Sequence, residues 1–173
     1  QLIAQAIQYD LDGINVDIEA LPGEAGNGFI EFIRELSIMC RRNNIILSVD
    51  NYVPKAYNQN YNRKEQGIVA DYVIIMGYDE HHKESPESGP VASLDFVQQG
   101  IKDALKDVPS EKLINAVPFY TRLWKEIPKT EEELAEQEGT DAAEYPYKVS
   151  SQAYGMNKIK VAIETAGAQI VVD

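Results

Sequence analysis

The sequence predicts an α/β fold in which helices cover a parallel sheet. Four strand-like segments alternate with segments of helical periodicity, and they lie at residues 13–19, 44–53, 71–79 and 112–120. The starts of these segments are 31, 27 and 41 residues apart, which leaves enough chain for a crossover helix between parallel neighbours. The segments are almost continuously apolar, as expected for strands that helices cover. The chain is therefore expected to consist of βα units.

Apolar residues at helical spacing predict the helices around the first two strands. One helix covers residues 1–9, and an amphipathic helix runs from about Phe29 to Arg42. The second strand is bounded by Pro54, and a short helix is predicted around Arg63–Val69 after a polar run. The last two of these helices supply the first two crossover connections.

Turn-forming residues separate the later elements. The loop at 81–90 is rich in them, and Ser93 then suits the cap of a helix that runs to about Asp107. Thr130 and Glu133 have the spacing of a capping box for a short acidic helix. The remaining expectations are a loop over 139–155, a helix over 156–167 that Gly167 ends, and the beginning of a strand at 168–173.

The chain is strongly acidic, and this argues against several function classes. It has 173 residues, with 16 Lys and Arg against 28 Asp and Glu, for a net charge of −12. Such a charge disfavours nucleic acid and anionic membrane surfaces, which attract basic patches. The sequence has no run of about 18 apolar residues, which argues against a transmembrane helix. Cys40 is the only cysteine, so neither an intrachain disulfide nor a cysteine zinc site is expected.

The first predicted strand ends in two carboxylates. Alternate residues of a strand share a face, so Asn15, Asp17 and Glu19 should point away from the helices, while Ile18 and the alternate positions before it face them. The two carboxylates would then lie about 6–7 Å apart along the strand. One of two neighbouring carboxyls is expected to have a raised pKa, and a carboxyl still protonated near neutral pH can act as a general acid. The alternative is that both acids simply reach solvent or cap the next helix.

Two architectures fit four βα units, namely an open doubly wound sheet and part of a (β/α)8 barrel. In both, function lies at the carboxyl ends of the strands. These ends are polar here, with the sequences DIE, SVDNY, GYDEHH and PFYTRLW. None of the strands is followed by the glycine-rich turn of a nucleotide site. A complete barrel needs about 250 residues, so a chain of this length holds roughly half to two-thirds of one.

Three short motifs stand at the ends of predicted strands, namely DGINVDIE at 12–19, MGYD at 76–79 and VPFYTRLW at 117–124. They resemble, in the family's order, the DGxDxDxE, MxYD and PFYGRxW motifs of glycoside hydrolase family 18, the chitinase-like enzymes. Their form is most similar to bacterial peptidoglycan hydrolases of spores and cell walls. The resemblance implies a partial (β/α)8 TIM barrel that holds approximately strands four to seven in residues 1–124. Residues 125–173 would be the start of an acidic insertion in the same domain, with the following helix and strand.

The resemblance implies a catalytic pair in the first motif. Glu19 matches the family's proton donor to the leaving glycosidic oxygen, and Asp17 matches the residue that holds the 2-acetamido group of the sugar. In the family the acetamido oxygen is the nucleophile, so no second carboxylate nucleophile is needed. Asn15 departs from the pattern, because the family has an Asp there. An amide can still hydrogen-bond Asp17 but cannot ionise, so the proton cycling of Asp17 is expected to differ.

The other two motifs imply substrate-binding residues. Tyr78 matches the tyrosine that hydrogen-bonds the acetamido carbonyl, and Asp79 matches its neighbouring acid. Tyr120 and Arg122 match polar groups on the family's seventh strand that contact the sugar. Met76, the first residue of the second motif, and Asn15 of the first motif are expected to bind the substrate as well. The resemblance implies neither a metal nor a cofactor.

The leading hypothesis is a fragment of a retaining glycosidase that hydrolyses β-linked N-acetylglucosamine polymers, either peptidoglycan or chitin, by substrate-assisted catalysis. The alternative is a non-catalytic carbohydrate-binding module on the same scaffold, against which the retention of Glu19 and Asp17 speaks. A third hypothesis is a metal hydrolase that adds His81 or His82 to these carboxylates, although adjacent histidines point apart on an extended backbone. The expected partner is a GlcNAc-containing polysaccharide, and neither nucleic acid nor a membrane is expected.

Both ends of the chain are expected to be cuts through a larger fold, because it opens on a helical pattern and closes on an apolar run. A partial barrel would expose sheet edges and an apolar interior, so we expect the fragment to self-associate. The parent protein is expected to be secreted or to be associated with the cell wall or the spore.

Several other residues have two interpretations. Tyr52, Tyr57 and Tyr61, around the end of the second strand, either line a glycan groove or cover the sheet. Phe119 either stacks on a sugar or belongs to the core. Seven acidic residues without a basic one in the segment 131–144 form either a solvated face or part of the insertion.

Overall fold

A computed structural model describes residues 1–137, 139–140 and 144–169 of the chain. It confirms an α/β fold with a parallel sheet of four strands in the order in which they follow each other along the chain. The strands of this sheet are β1 at Gly13–Val16, β2 at Ile46–Tyr52, β3 at Tyr72–Met76 and β4 at Leu113–Ala116. All three strand pairs are parallel, so the four carboxyl ends meet at one edge of the sheet.

Four helices accompany this sheet, as the hydrophobic periodicity predicted. They are α1 at Leu2–Gln8, α2 at Gly26–Arg42, α3 at Arg63–Val69 and α4 at Leu94–Ala104. Short 3₁₀ helices lie at Gly23–Ala25, Ala56–Tyr61 and Ser110–Lys112. The helix predicted from Ser93 to about Asp107 therefore ends earlier, at Ala104.

The core lies between α2 and one face of the sheet. Leu47 and Val49 of β2 are fully buried in it, together with Ile33 and Cys40 of α2. Burial raises the pKa of the Cys40 thiol, which fits the role of a small buried hydrophobic residue. The alternating positions on the other face of β2 are only half-buried, which leaves that face free for polar side chains.

Buried polar side chains join β2 to α3. The side-chain amides of Asn51 and Gln66 exchange two hydrogen bonds of 2.8 and 3.1 Å, and both residues are fully buried. The Arg63 guanidinium donates to the carbonyl of Tyr52 at 3.3 Å and to the side chain of Asn58. Burial lowers the pKa of this guanidinium, and the bonds to oxygen atoms compensate part of the cost of burying it.

The chain from Tyr120 onward forms an antiparallel hairpin that the sequence did not predict. Strand β5 at Tyr120–Pro128 pairs with β6 at Tyr147–Gly155, and the acidic helix α5 at Glu131–Glu136 lies between them. The loop predicted over 139–155 is therefore wrong for residues 147–155. Strand β6 carries mostly polar, exposed side chains. It is a strand because its backbone pairs with β5, and its sequence has no apolar alternation that would predict one.

The predicted strand at 112–120 is also wrong in its second half. Strand β4 ends at Ala116, and Tyr120 begins β5 in the other sheet. Pro118 lies between the two strands and has no N–H to donate to a ladder, which favours an interruption there. Phe119 is exposed rather than part of the core.

Other boundaries agree more closely with the sequence. Both bonds of the predicted capping box are present at α5, where Thr130 accepts from the Glu133 N–H at 3.2 Å and the Glu133 carboxylate accepts from the Thr130 N–H at 2.9 Å. Helix α6 at Met156–Ala166 ends at Gly167, whose φ of +60° is left-handed. Most of the strand predicted at 168–173 lies outside the described residues.

The described residues separate into two compact units. One contains Gln1–Gly77 and Leu94–Val117, and the other contains Tyr78–Ser93 with the described residues from Pro118 onward. The domain division at residue 124 stays a prediction. Among the described helices, none has both the length and the apolar character to cross a membrane.

Removing the core side chain of Ile33 should destabilise the first unit. Ile33 is 0% exposed, so Ile33→Ala leaves a cavity and should lower the free energy of unfolding by about 2–5 kcal/mol. Ile38→Ala on the same helix is the matched control, because Ile38 is 49% exposed and its change should cost little. Equilibrium urea unfolding of both variants measures the difference, and equal losses would contradict this description of the core.

Candidate active site

The two carboxylates of the first motif follow β1 rather than lying within it. The strand ends at Val16, so Asp17 and Glu19 are exposed on the segment that leaves the carboxyl edge of the sheet. The prediction that Ile18 faces the helices is wrong, since its side chain is 41% exposed. Side chains alternate in direction only while the backbone keeps strand geometry. This geometry ends at Val16, so the alternation does not predict where the side chains of later residues point.

The carboxylate of Glu19 is held by a tyrosine of the neighbouring strand. The Tyr52 hydroxyl donates to Glu19 Oε2 at 3.0 Å and accepts the Ala20 N–H at 3.2 Å. Burial raises the pKa of the Tyr52 hydroxyl, and the bond to the Glu19 carboxylate raises it further. The hydroxyl therefore remains a protonated donor at neutral pH.

Asn15 is bonded to the second strand. It lies opposite Ser48 in the sheet, whose hydroxyl donates to Asn15 Oδ1 at 2.7 Å, and Asn15 Nδ2 donates to Asp50 Oδ2 at 3.0 Å. A carboxylate only accepts, so the bond to Asp50 sets the orientation of the amide. Within the part of the chain that the structure describes, Asp50 Oδ1 is buried without a hydrogen-bond partner. Asp17 makes no hydrogen bond to a described residue, so the expected bond from Asn15 to Asp17 is not formed here.

The second motif continues beyond β3. Met76 is the buried last residue of the strand, and Tyr78 and Asp79 follow it. The Tyr120 hydroxyl donates to Asp79 Oδ1 at 2.6 Å, and the rings of Tyr78 and Tyr120 meet edge to face at 6.2 Å. Burial, followed by the bond to Asp79, raises the pKa of Tyr120 far above its ordinary value. Asp79 has a left-handed φ of +59°, which is uncommon for a residue other than glycine.

Arg122 lies on the hairpin rather than at the end of a parallel strand. Its Nη1 donates to the Ser151 hydroxyl of β6 at 3.1 Å. Its Nε is buried and has no partner among the residues that the structure describes. Trp124, further along β5, donates from Nε1 to the Gly89 carbonyl at 3.0 Å and so ties the hairpin to the loop that follows β3.

Several polar residues of that loop bond within it, whereas the Ser88 hydroxyl donates to the Glu126 carboxylate of β5. The Glu80 carboxylate accepts from the N–H and the hydroxyl of Ser93, at 2.6 and 3.0 Å. A nitrogen of the His81 ring lies 3.0 Å from the Pro90 carbonyl. Over the described ranges, no group of three or more His, Cys, Asp or Glu side chains has a geometry suited to a metal ion.

The candidate residues belong to both compact units. The first unit holds Asn15, Asp17, Glu19 and Met76, and the second holds Tyr78, Asp79, Tyr120 and Arg122. Sequence reasoning missed two of the three residues of β2 that contact the first group, Ser48 and Asp50. It named the third, Tyr52, only as a residue that lines a glycan groove or covers the sheet. The signal is the alternation of apolar and polar residues over 47–50, which places Ser48, Asp50 and next Tyr52 on the face opposite the core.

Replacing Asn15 by the acid that the family's pattern has there should destabilise this protein at neutral pH. In Asn15→Asp an oxygen replaces the Nδ2 that donates to Asp50, so two carboxylates meet, and the expected loss is about 1 kcal/mol. Repulsion makes the folded variant bind a proton more readily than the unfolded chain, so the loss is full near pH 7 and shrinks as the pH falls.

Urea unfolding between pH 4 and pH 7 measures this effect. Asn27→Asp is the control, because it adds the same charge at an exposed position of α2. A loss in Asn15→Asp that does not depend on pH would contradict the proposed contact between carboxylates.

The chain matches known proteins over nearly its whole length. The profile described as glycosyl hydrolases family 18 matches residues 1–170. The chain is 31% identical over 118 residues to YdhD of Bacillus subtilis, which is named a sporulation-specific glycosylase, and this match covers 65% of the chain and 27% of YdhD. The crystal structure of YdhD superposes with a TM-score of 0.81 at 23% identity, over 99% of this chain and 53% of the other.

Two further crystal structures have the same fold. A chitinase from Chromobacterium violaceum has a TM-score of 0.78 at 26% identity, over 99% of this chain and 49% of its own. The spore cortex-lytic enzyme SleL of Bacillus megaterium has a TM-score of 0.75 at 16% identity, over 99% of this chain and 37% of its own. The chain thus spans about half or less of these proteins. By its sequence and its fold, it belongs to family 18 of the glycoside hydrolases.

Proposed function

We propose that the protein containing this chain is a retaining glycosidase that hydrolyses β-linked N-acetylglucosamine polymers. The observation that carries the proposal is the position of Glu19. Its carboxylate is exposed just beyond the carboxyl end of a parallel strand, and a tyrosine hydroxyl holds it at 3.0 Å. Asp17 precedes it in the same motif. A positioned carboxyl at such an edge is suited to proton transfer to a bound substrate.

In the proposed reaction Glu19 donates its proton to the glycosidic oxygen as the bond to the anomeric carbon breaks. The acetamido oxygen of the same sugar forms a new bond to that carbon and gives an oxazolinium ion. Asp17 orients the acetamido group for this attack and stabilises the positive charge on its nitrogen. Water then attacks the anomeric carbon, Glu19 takes up the proton of the water, and the oxazolinium ring opens.

We propose that the candidate residues of the second unit, together with Met76, form the part of the site that binds the sugar. Tyr78 would hydrogen-bond the acetamido carbonyl, and Asp79 and Arg122 would contact the ring hydroxyls. The bond from Tyr120 supports this role of Asp79, because it fixes a carboxylate that would otherwise rotate freely. Met76 contributes a buried apolar wall at the end of β3.

The names of the relatives support peptidoglycan or chitin as the substrate. The name of YdhD refers to sporulation and that of SleL to the spore cortex, whereas the Chromobacterium enzyme is a chitinase. Peptidoglycan and chitin both contain β-linked N-acetylglucosamine, so one mechanism serves both. We therefore propose peptidoglycan or chitin as the partner of the whole protein, and a secreted, cell-wall or spore location for it.

We further propose that the four parallel strands are approximately strands four to seven of a (β/α)8 barrel and that the β5–β6 hairpin begins its insertion. The order of the strands and the lengths of the solved relatives support this assignment. The expected self-association of the isolated chain stays a prediction.

Glu19→Gln tests the catalytic assignment. Loss of the proton donor should lower kcat at least about 100-fold on N-acetylglucosamine oligomers or peptidoglycan. The assay uses the full-length protein, and product release is followed by chromatography. Glu24→Gln is the control, because Glu24 is also exposed and lies close by in the chain. If Glu19→Gln retains the activity of the parent, the assignment of the acid is wrong.

The stereochemistry of the product tests the substrate-assisted route. Attack by the acetamido oxygen and then by water inverts the anomeric carbon twice, so the first product should be the β-anomer. Proton NMR spectra taken within minutes of mixing distinguish the two anomers before they equilibrate. An α-anomer as the first product would exclude this route.

A further inference from the structure

Two neighbouring tyrosines hold the segment that carries Glu19. The Tyr61 hydroxyl donates to the Ile18 carbonyl at 3.0 Å and accepts the Leu21 N–H at 3.2 Å. The Tyr52 hydroxyl accepts the Ala20 N–H and donates to the Glu19 carboxylate. Four hydrogen bonds from two hydroxyls therefore hold four consecutive residues of the segment.

The two tyrosines are themselves fixed. Their rings meet edge to face at 5.9 Å, and Tyr61, which is 2% exposed, makes a similar contact with Phe29 of α2 at 5.7 Å. The Arg63 guanidinium lies 6.0 Å from the centre of the Tyr61 ring and donates to the Tyr52 carbonyl. Hydroxyls on such packed rings cannot move far without disturbing the core.

The two tyrosines differ in what they contact. Tyr61 bonds only to backbone atoms of the segment, whereas Tyr52 bonds to the backbone and also to the Glu19 carboxylate. The backbone atom that Tyr52 holds belongs to Ala20, which has a left-handed φ of +52°. A residue with a Cβ adopts this conformation at a cost, and a bond to its N–H compensates part of that cost.

We infer that Tyr52 is a positioning residue for the catalytic acid, an inference that rests on the proposed function. One hydroxyl holds the unusual backbone of Ala20 and aims the carboxylate of Glu19. A carboxylate that is held in one orientation meets the glycosidic oxygen, and later the attacking water, without first having to rotate.

The test compares three Tyr→Phe variants of the full-length protein through kcat, KM and the thermal unfolding temperature. Tyr52→Phe removes the bond to the carboxylate, so kcat should fall about 10-fold while KM stays nearly unchanged. Tyr61→Phe removes only backbone bonds and should lower the unfolding temperature without lowering kcat. Tyr9→Phe is the matched control, because Tyr9 is 67% exposed and should change neither property.

A fluorinated tyrosine at position 52 gives a second measurement that does not depend on how well the Phe variant folds. Ring fluorine keeps both the hydroxyl and the shape of the phenol, so kcat should stay close to that of the parent. A kcat that is unchanged in Tyr52→Phe, or that falls as much in Tyr61→Phe or in the fluorinated protein, would overturn the inference. Failure of the proposed function is recognised separately, because the parent would then show no turnover or Glu19→Gln would remain active.

Discussion

The parallel pairing of β2 between β1 and β3 is the constraint on which the rest of the structure depends. Parallel neighbours need crossover connections, so this pairing imposes α2 and α3 and brings the carboxyl ends of the strands to one edge. It also divides the side chains of β2. Leu47, Val49 and Asn51 face the core, while Ser48 and Tyr52 face the polar residues of β1 and the segment after it. A register shift of one residue would exchange these two sets.

The alternation of strands and helices was predictable because each element has its own local signal. Helix α3 and the capping box of α5 were predicted almost residue by residue. The β5–β6 hairpin was not predicted, because Tyr147–Gly155 has few apolar residues and takes its strand geometry from the pairing with β5. The contact of Tyr52 with Glu19 was equally out of reach, since it depends on the register of two strands and on a turn at Ala20.

The motif residues were predictable, but their partners were not. The sequence alone shows that Asn15 stands where the family has an Asp. The carboxylate of Asp50 beside it is found only when the strands are paired. The Asn15 amide links the first two strands through its bonds to Ser48 and Asp50. A carboxylate therefore lies beside position 15, although it stands on the neighbouring strand.

The two-sided character of β2 has a consequence for the evolution of the protein. The backbone that buries Val49 and Asn51 in the core is the backbone that places the Tyr52 hydroxyl on Glu19. A substitution that repacks the core beneath this strand therefore also shifts the hydroxyl that holds Glu19. Stable folding and the proposed proton transfer thus depend on the same few residues of β2. This strand should consequently tolerate fewer substitutions than β6 of the hairpin, whose side chains are largely exposed.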